Sequence, residues 1–299
     1  MPSRKERAAR REFAAAGSEY TIAGMATKRM QKYGTRGSLG AVSAVVIIES
    51  LPDGETKTGK RLRDDLEQIT ISIGNEFAVR YVTAQSAEEL ESLLIELQAW
   101  VVASGGIGLC LHIECHGGKD GLELADESQM SWDRLRPLLA NINLASRMNL
   151  LLWLACCFGG YFVLACRYHQ TVPFACIVGP GNEIGVWTLL AFTVTFYTEL
   201  FKTGDITDAL TVAGSVRMDI TYINFSAVGV FRVALAARIR DAAPELRAQI
   251  KAVEEPLFEQ LRRVFFALDK YPENADRFSI SYADVLAEVE AGNLWIGNA

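Results

Sequence analysis

Histidine is scarce in this sequence, with three in 299 residues. An imidazole acting as general base near neutral pH therefore has few places to sit. Metal knuckles are missing as well: none of the six cysteines stands in a Cys-x₂-Cys spacing, which argues against a structural zinc site. Positive charge is not in excess, at 30 Lys and Arg against 36 Asp and Glu. A net charge of −6 argues against nucleic acid as the main partner. No apolar h-region follows the charged start Met1-Pro-Ser-Arg-Lys-Glu-Arg7, so no secretory signal is read there. The expected location is cytoplasmic, with the cysteines as free thiols. Internal repeats and low-complexity tracts are absent. The run Asn149–Cys166 is free of charge for 18 residues, a length at which a membrane span becomes a candidate. The turn signal Phe158-Gly159-Gly160 in its middle reads instead as buried strand, turn and buried helix. No membrane partner is expected.

What is present fits a folded α/β protein. Half of the residues are apolar and 22% are charged, enough for one large core or two modest domains. The charge is uneven. Residues 1–40 hold nine Lys or Arg and three Asp or Glu, a local +6. They read as a basic arm and linker: a solubilising terminus, an autoinhibitory tail or a docking element. The core is expected over residues 41–240, and a helical C-terminal region packed on it over 241–299.

Compact β-branched or apolar runs predict strands at 44–49, 77–82, 107–113, 149–155 and 174–178. Between them, helical spacing appears over 61–71, after a Ser86 cap, after a Ser131 cap, and from Asn182 to Phe201. A helix is expected from about Tyr161. Strands alternating with helices predict an α/β fold, a three-layer sandwich around a mostly parallel sheet. Chemistry in such folds gathers at the carboxyl ends of the strands.

Two strand ends carry reactive residues. One reads Glu114-Cys115-His116-Gly117-Gly118, the other Ala155-Cys156-Cys157-Phe158-Gly159-Gly160. Neighbouring strands lie about 4.8 Å apart, so a His and a Cys at one edge can meet. A thiolate is the nucleophile, and an imidazole can activate it and then protonate the leaving amine. The backbone N–H groups of Gly117 and Cys157 are candidate oxyanion donors. Cys157 is favoured over Cys156 because only Cys157 places a glycine, Gly159, two residues on; Cys156 stays the alternative. A zinc site built from Cys110, His112, Cys115, His116, Cys156 and Cys157 competes, but strand alternation points Cys115 away from His116, so no metal is expected. For substrate side chains, Lys60 and Arg61 in the loop after the first strand are candidates for an acidic group. Glu183, after the fifth strand, is the candidate for a basic one.

His-Gly closing one apolar strand, then Asp120-Gly121-Leu-Glu-Leu124, then a strand ending in Cys-x-Gly, resembles the caspase-like peptidases, most closely the bacterial CHAT-type members. The similarity covers residues 41–215, including Phe196-Tyr197, Leu200, Gly204 and Asp208-Ala209-Leu210. It implies a caspase-like sandwich and peptide-bond hydrolysis by a His/Cys dyad, with neither a cofactor nor an obligatory third residue. It implies a protein or peptide substrate, and a regulated effector of bacterial antiviral defence or signalling, switched on by a partner protein or by trimming of the arm. The signature Gln-Ala-Cys-x-Gly is not kept: Ala155 and Cys156 stand at its first two positions. A catalytically silent interaction module on the same fold is the alternative.

Overall fold

β1 (Ala44–Ser50) is buried along its whole length, and a strand buried on both faces needs apolar cover from two sides. Both covers are present. In this computed structural model, which describes residues 42–73, 78–216, 222–241 and 256–291, a mixed and mostly parallel sheet lies between two layers of helices. The basic arm expected over 1–40 lies outside the described residues.

The sheet runs β2 (Ala78–Thr83), β1, β3 (Leu109–Gly118), β6 (Leu150–Ala155), β7 (Cys176–Pro180), β8 (Tyr222–Ser226). The first five are parallel, and β8 closes one edge antiparallel to β7. Two short strands, β4 (Gly121–Glu123) and β5 (Gln129–Ser131), form an antiparallel ribbon on the end of β3.

Alternation along the strands sorts the core. Ala44, Val46 and Ile48 of β1, Leu109, Leu111, Ile113 and Cys115 of β3, and Leu150, Leu152 and Leu154 of β6 face one layer. That layer comprises α2 (Ala87–Ala103), α3 (Trp132–Ala145) and α6 (Ala227–Asp241). It also includes Phe258 and Phe265 of α7 (256–265) and Val285 of α8 (Tyr282–Ala291). The described C-terminal helices thus share the apolar core of the sheet, through a ring cluster of Phe231, Phe258, Phe265, Phe266 and Phe278. Val45, Ile47, Cys110, Leu151, Trp153 and Val178 face the other layer. There lie α1 (Thr58–Ser72), α4 (Val186–Thr203) and α5 (Ile206–Val216). Trp153 is its centre, ringed by Phe192, Phe196, Tyr197 and Tyr222. Each such buried side chain contributes about 1.5–3 kcal/mol of transfer free energy.

The expected caps at Ser86 and Ser131 are formed, accepting the N–H groups of Glu89 and Arg134. Several expectations need correction. α1 begins at Thr58, three residues early, because buried acceptors described below hold its first turn. The run after Cys157 is a 3₁₀ helix, Gly159–Ala165, not an α-helix, and it opens on two glycines, which are poor α-helix formers. α4 starts after Gly185 rather than at an Asn182 cap. β3 runs on through His116-Gly117-Gly118, because those residues pair with β4. The strand β8 lies within the expected core but was not among the expected strands. Among the described residues, no helix is long and apolar enough to cross a membrane.

Candidate active site

Four neighbouring parallel strands, β1, β3, β6 and β7, end at one edge of the sheet, and the sequence-predicted residues gather there. Glu114 and Ala155 are the last residues that β3 and β6 pair with each other. His116 and Cys157 each lie two positions further along, so they leave neighbouring strands at the same level. Both belong to the α1/α4 side. His116 alternates with Cys115, which faces the opposite core, and Cys157 touches the backbone of Ile184 just before α4.

Gly117 locks the two ends together. A Cβ at this position would stand 2.5 Å from the Cys157 carbonyl oxygen and 2.9 Å from Cys156 Sγ. Only glycine lets β3 pass so close to the Cys156-Cys157 backbone. The other two glycines of the motif act in the same way. A Cβ on Gly159 would meet the Leu154 carbonyl oxygen at 2.5 Å, and one on Gly160 would meet Ile223 at 2.5 Å. The sharp bend itself falls on Phe158, a left-handed residue at φ 58°, a conformation that costs roughly 1–2 kcal/mol outside glycine. Phe158 N–H donates to the Asn182 carbonyl at 3.3 Å, and Gly159 N–H to the Cys156 carbonyl at 3.1 Å. The chain therefore reverses immediately after Cys157 and leaves it at the apex.

The two cysteines are separated by this geometry. Cys156 is buried in the α2/α3 core at 2% exposure. It lies beside Cys115, whose thiol hydrogen-bonds with it; that bond and burial push Cys115 well above its ordinary value. Cys157 is half-buried. Its sulfur accepts the Ile184 N–H at 3.5 Å and lies 4.0 Å from the Ile184 carbonyl oxygen.

His116 is exposed, and both carboxylate oxygens of Glu55 lie 3.1 Å from its Nε2. The imidazole and the thiol are thus engaged by Glu55 and Ile184, not by each other. Lys119 sits over the Phe158 and Tyr161 rings at 5.9 and 5.8 Å, forming a wall beside the turn. His112, two residues before Glu114, is a core residue stacked on Trp153.

The three candidates for substrate side chains are placed differently from one another. Lys60 and Arg61 are exposed on the first turn of α1, not in a loop. Arg61 lies over the exposed Trp187 ring at 5.8 Å and 4.0 Å from Asp65. Glu183 is exposed in the loop between β7 and α4, next to the Ile184 that contacts Cys157. Among the described residues, no three His, Cys, Asp or Glu side chains are grouped to hold a metal ion.

Sequence reasoning missed two features of this edge. One is Glu55, which follows the Pro52-Asp53-Gly54 turn in the loop after β1. The other is a buried pair of acids, Glu49 and Glu114, at 1% and 6% exposure. Glu49 accepts the Gly59 N–H at 2.7 Å and the Tyr81 hydroxyl at 2.5 Å. Glu114 accepts the Thr58 hydroxyl. Orphan N–H groups at a helix start need acceptors, and these two carboxyl groups hold the first turn of α1. The available signal was an acid closing each of two apolar strands. Neither the family models nor the curated proteins compared with this sequence match it.

Proposed function

We propose that this chain is a cysteine endopeptidase of the caspase-like, CHAT-type kind, with His116 as general base and Cys157 as nucleophile. The observation that carries this reading is the level exit of His116 and Cys157 from adjacent parallel strands, with Gly117 packed on the Cys157 backbone. In the proposed reaction His116 takes the Cys157 thiol proton, and the thiolate attacks the scissile carbonyl carbon. N–H groups of Gly117 and Cys157 are the candidates to receive the oxyanion. The imidazolium then protonates the leaving amine, and a water activated by the same imidazole hydrolyses the thioester. No cofactor enters this chemistry. The resemblance noted above extends the proposal to a regulated effector in bacterial defence or signalling, with a protein substrate, an activating partner and a cytoplasmic location.

Digestion of a peptide library tests it. Wild type should cleave, Cys157→Ala and His116→Ala should lose at least a hundredfold in rate, and Cys156→Ala should keep most of it. Full activity in Cys157→Ala would sink the assignment.

One observation favours a second reading, a catalytically silent interaction module: His116 is held by Glu55 and Cys157 by Ile184. Hydrogen bonds between catalytic groups are often long before substrate binds, so this arrangement does not decide between the two. An electrophilic peptide probe that leaves Cys157 unlabelled, with candidate partners present, would favour the module.

A further inference from the structure

We infer that Glu55 is a positioning residue for His116, held in place by a loop that is tied back to the strand carrying the histidine. This inference rests on the reading of His116 as the general base and adds to it a third residue.

The loop is built to deliver this one side chain. It leaves β1 at Leu51, turns at Pro52-Asp53-Gly54 with Gly54 at φ 93°, and returns through Glu55, whose N–H donates to the Pro52 carbonyl at 3.3 Å. Lys57 folds back over the loop, and its ammonium donates to the Leu51 and Pro52 carbonyls. The far end of the loop is pinned next, where Thr58 donates to Glu114 and Gly59 to Glu49. Glu114 lies on β3 two residues before His116. The path from His116 down β3 to Glu114, across to Thr58 and back along the loop to Glu55 is therefore a closed circuit. The loop's far end is fixed by the buried contacts of Thr58 and Gly59, and the Glu55–His116 contact is at the surface.

The chemistry follows from which nitrogen is taken. A carboxylate accepts but does not donate, so Glu55 holds the proton on Nε2 and leaves the Nδ1 lone pair as the base. When Nδ1 takes the thiol proton, the Nε2–H stays on the ring and Glu55 faces the resulting imidazolium. When the leaving amine takes that proton from Nδ1, the ring returns to the same tautomer. No proton needs to pass to Glu55. The side chains of His116 and Glu55 are 47% and 44% exposed, so solvent weakens their attraction. The role assigned to Glu55 is accordingly tautomer and orientation.

Two readouts test this. Long-range ¹H–¹⁵N spectra, with His116→Gln used to assign the ring, should show the Nε2–H tautomer in wild type and a shift toward a mixture in Glu55→Leu. On a peptide substrate, Glu55→Leu should lower kcat by roughly tenfold or more with KM within about twofold, and Glu55→Asp should recover part of the loss. Unchanged melting temperatures would show that folding is not the cause. The inference is overturned if the tautomer does not respond to Glu55→Leu, or if kcat rises and Glu55 proves to be a latch. A wild type that stays inactive with candidate partners present and after trimming of the arm would overturn the function proposed above, whereas the Glu55–His116 contact would still stand or fall on the spectra.

Discussion

Glu49 and Glu114 stand directly opposite each other on β1 and β3, two acids buried side by side under the first turn of α1. A Cβ on Gly59 would lie 3.1 Å from a carboxyl oxygen of each, so the helix start is seated between them. Burial is the main reason that the Glu114 carboxyl is pushed above the usual carboxylate range. His112 works against this shift and Glu49 adds to it. Nε2 of His112 is 3.7 Å from Glu114, longer than a hydrogen bond, so burial prevails.

This raised value makes stability depend on pH. Glu114 favours the folded state while the unfolded chain is also protonated, below about pH 4.3. That contribution is lost as pH rises through the higher folded value. Replacement by Gln keeps an acceptor for Thr58 and removes the charge. Glu114→Gln should therefore melt about 2 °C or more above wild type at pH 7–8, with the gap closing near pH 4. Thermal melts across that range measure it; a gap that widens toward acid would contradict the burial argument.

Cysteine reactivity should separate cleanly. Burial pushes Cys110, Cys166 and Cys176 up to about 12, the hydrogen bond with Cys156 and then burial push Cys115 well above its ordinary value, and Cys156 lies buried in the core. Brief iodoacetamide treatment of the native protein at pH 8 should label Cys157, and labelling after unfolding should reach all six. Peptide mapping by mass spectrometry reads this directly. A native protein labelled first at Cys156 would reverse the choice between the two neighbours.

The glycines at this edge are not equivalent. Gly159→Ala would press a methyl group against the Leu154 carbonyl oxygen and should cost about 1–3 kcal/mol, with loss of Cys157 labelling as the turn shifts. Gly118→Ala has no atom within 4 Å of the added carbon and should fold within about 0.5 kcal/mol of wild type. Urea unfolding of the two variants makes the comparison, and equal costs would show that the turn can yield.

Much of this architecture was legible in the residues. Ala44-Val-Val-Ile-Ile and Leu150-Leu-Leu-Trp-Leu have no polar face, so they belong inside a sheet covered on both sides. Ser86 and Ser131 announced helices because a hydroxyl at that position meets a free N–H. That reactive residues stand at these two strand ends, each followed by glycines, was also legible, and Gly159 was the ground for preferring Cys157 over Cys156. The structure supplies the reason, which is close backbone approach rather than a positive φ at Gly117 or Gly159.

Other features were hidden because their causes are long-range. β8 was missed because Tyr222–Ser226 becomes a strand only by pairing with the far edge of β7. The early start of α1 was missed because its cap is not local: Lys57 offers no capping side chain, and the acceptors come from Glu49 and Glu114 on two other strands. Lys60 and Arg61 consequently moved from a loop onto a helix turn.

Sequence alone therefore determined the alternation of strands and helices, and the reactive residues at two strand ends, because alternation, capping and glycine placement are local properties of the chain. Tertiary structure decided the rest. Which strands are neighbours sets His116 and Cys157 at one level, and which way each side chain points sends Cys156 into the core and Cys157 to the edge. Where the loop after β1 comes to rest brings Glu55 to 3.1 Å from His116 Nε2, a contact between residues 61 positions apart in the chain.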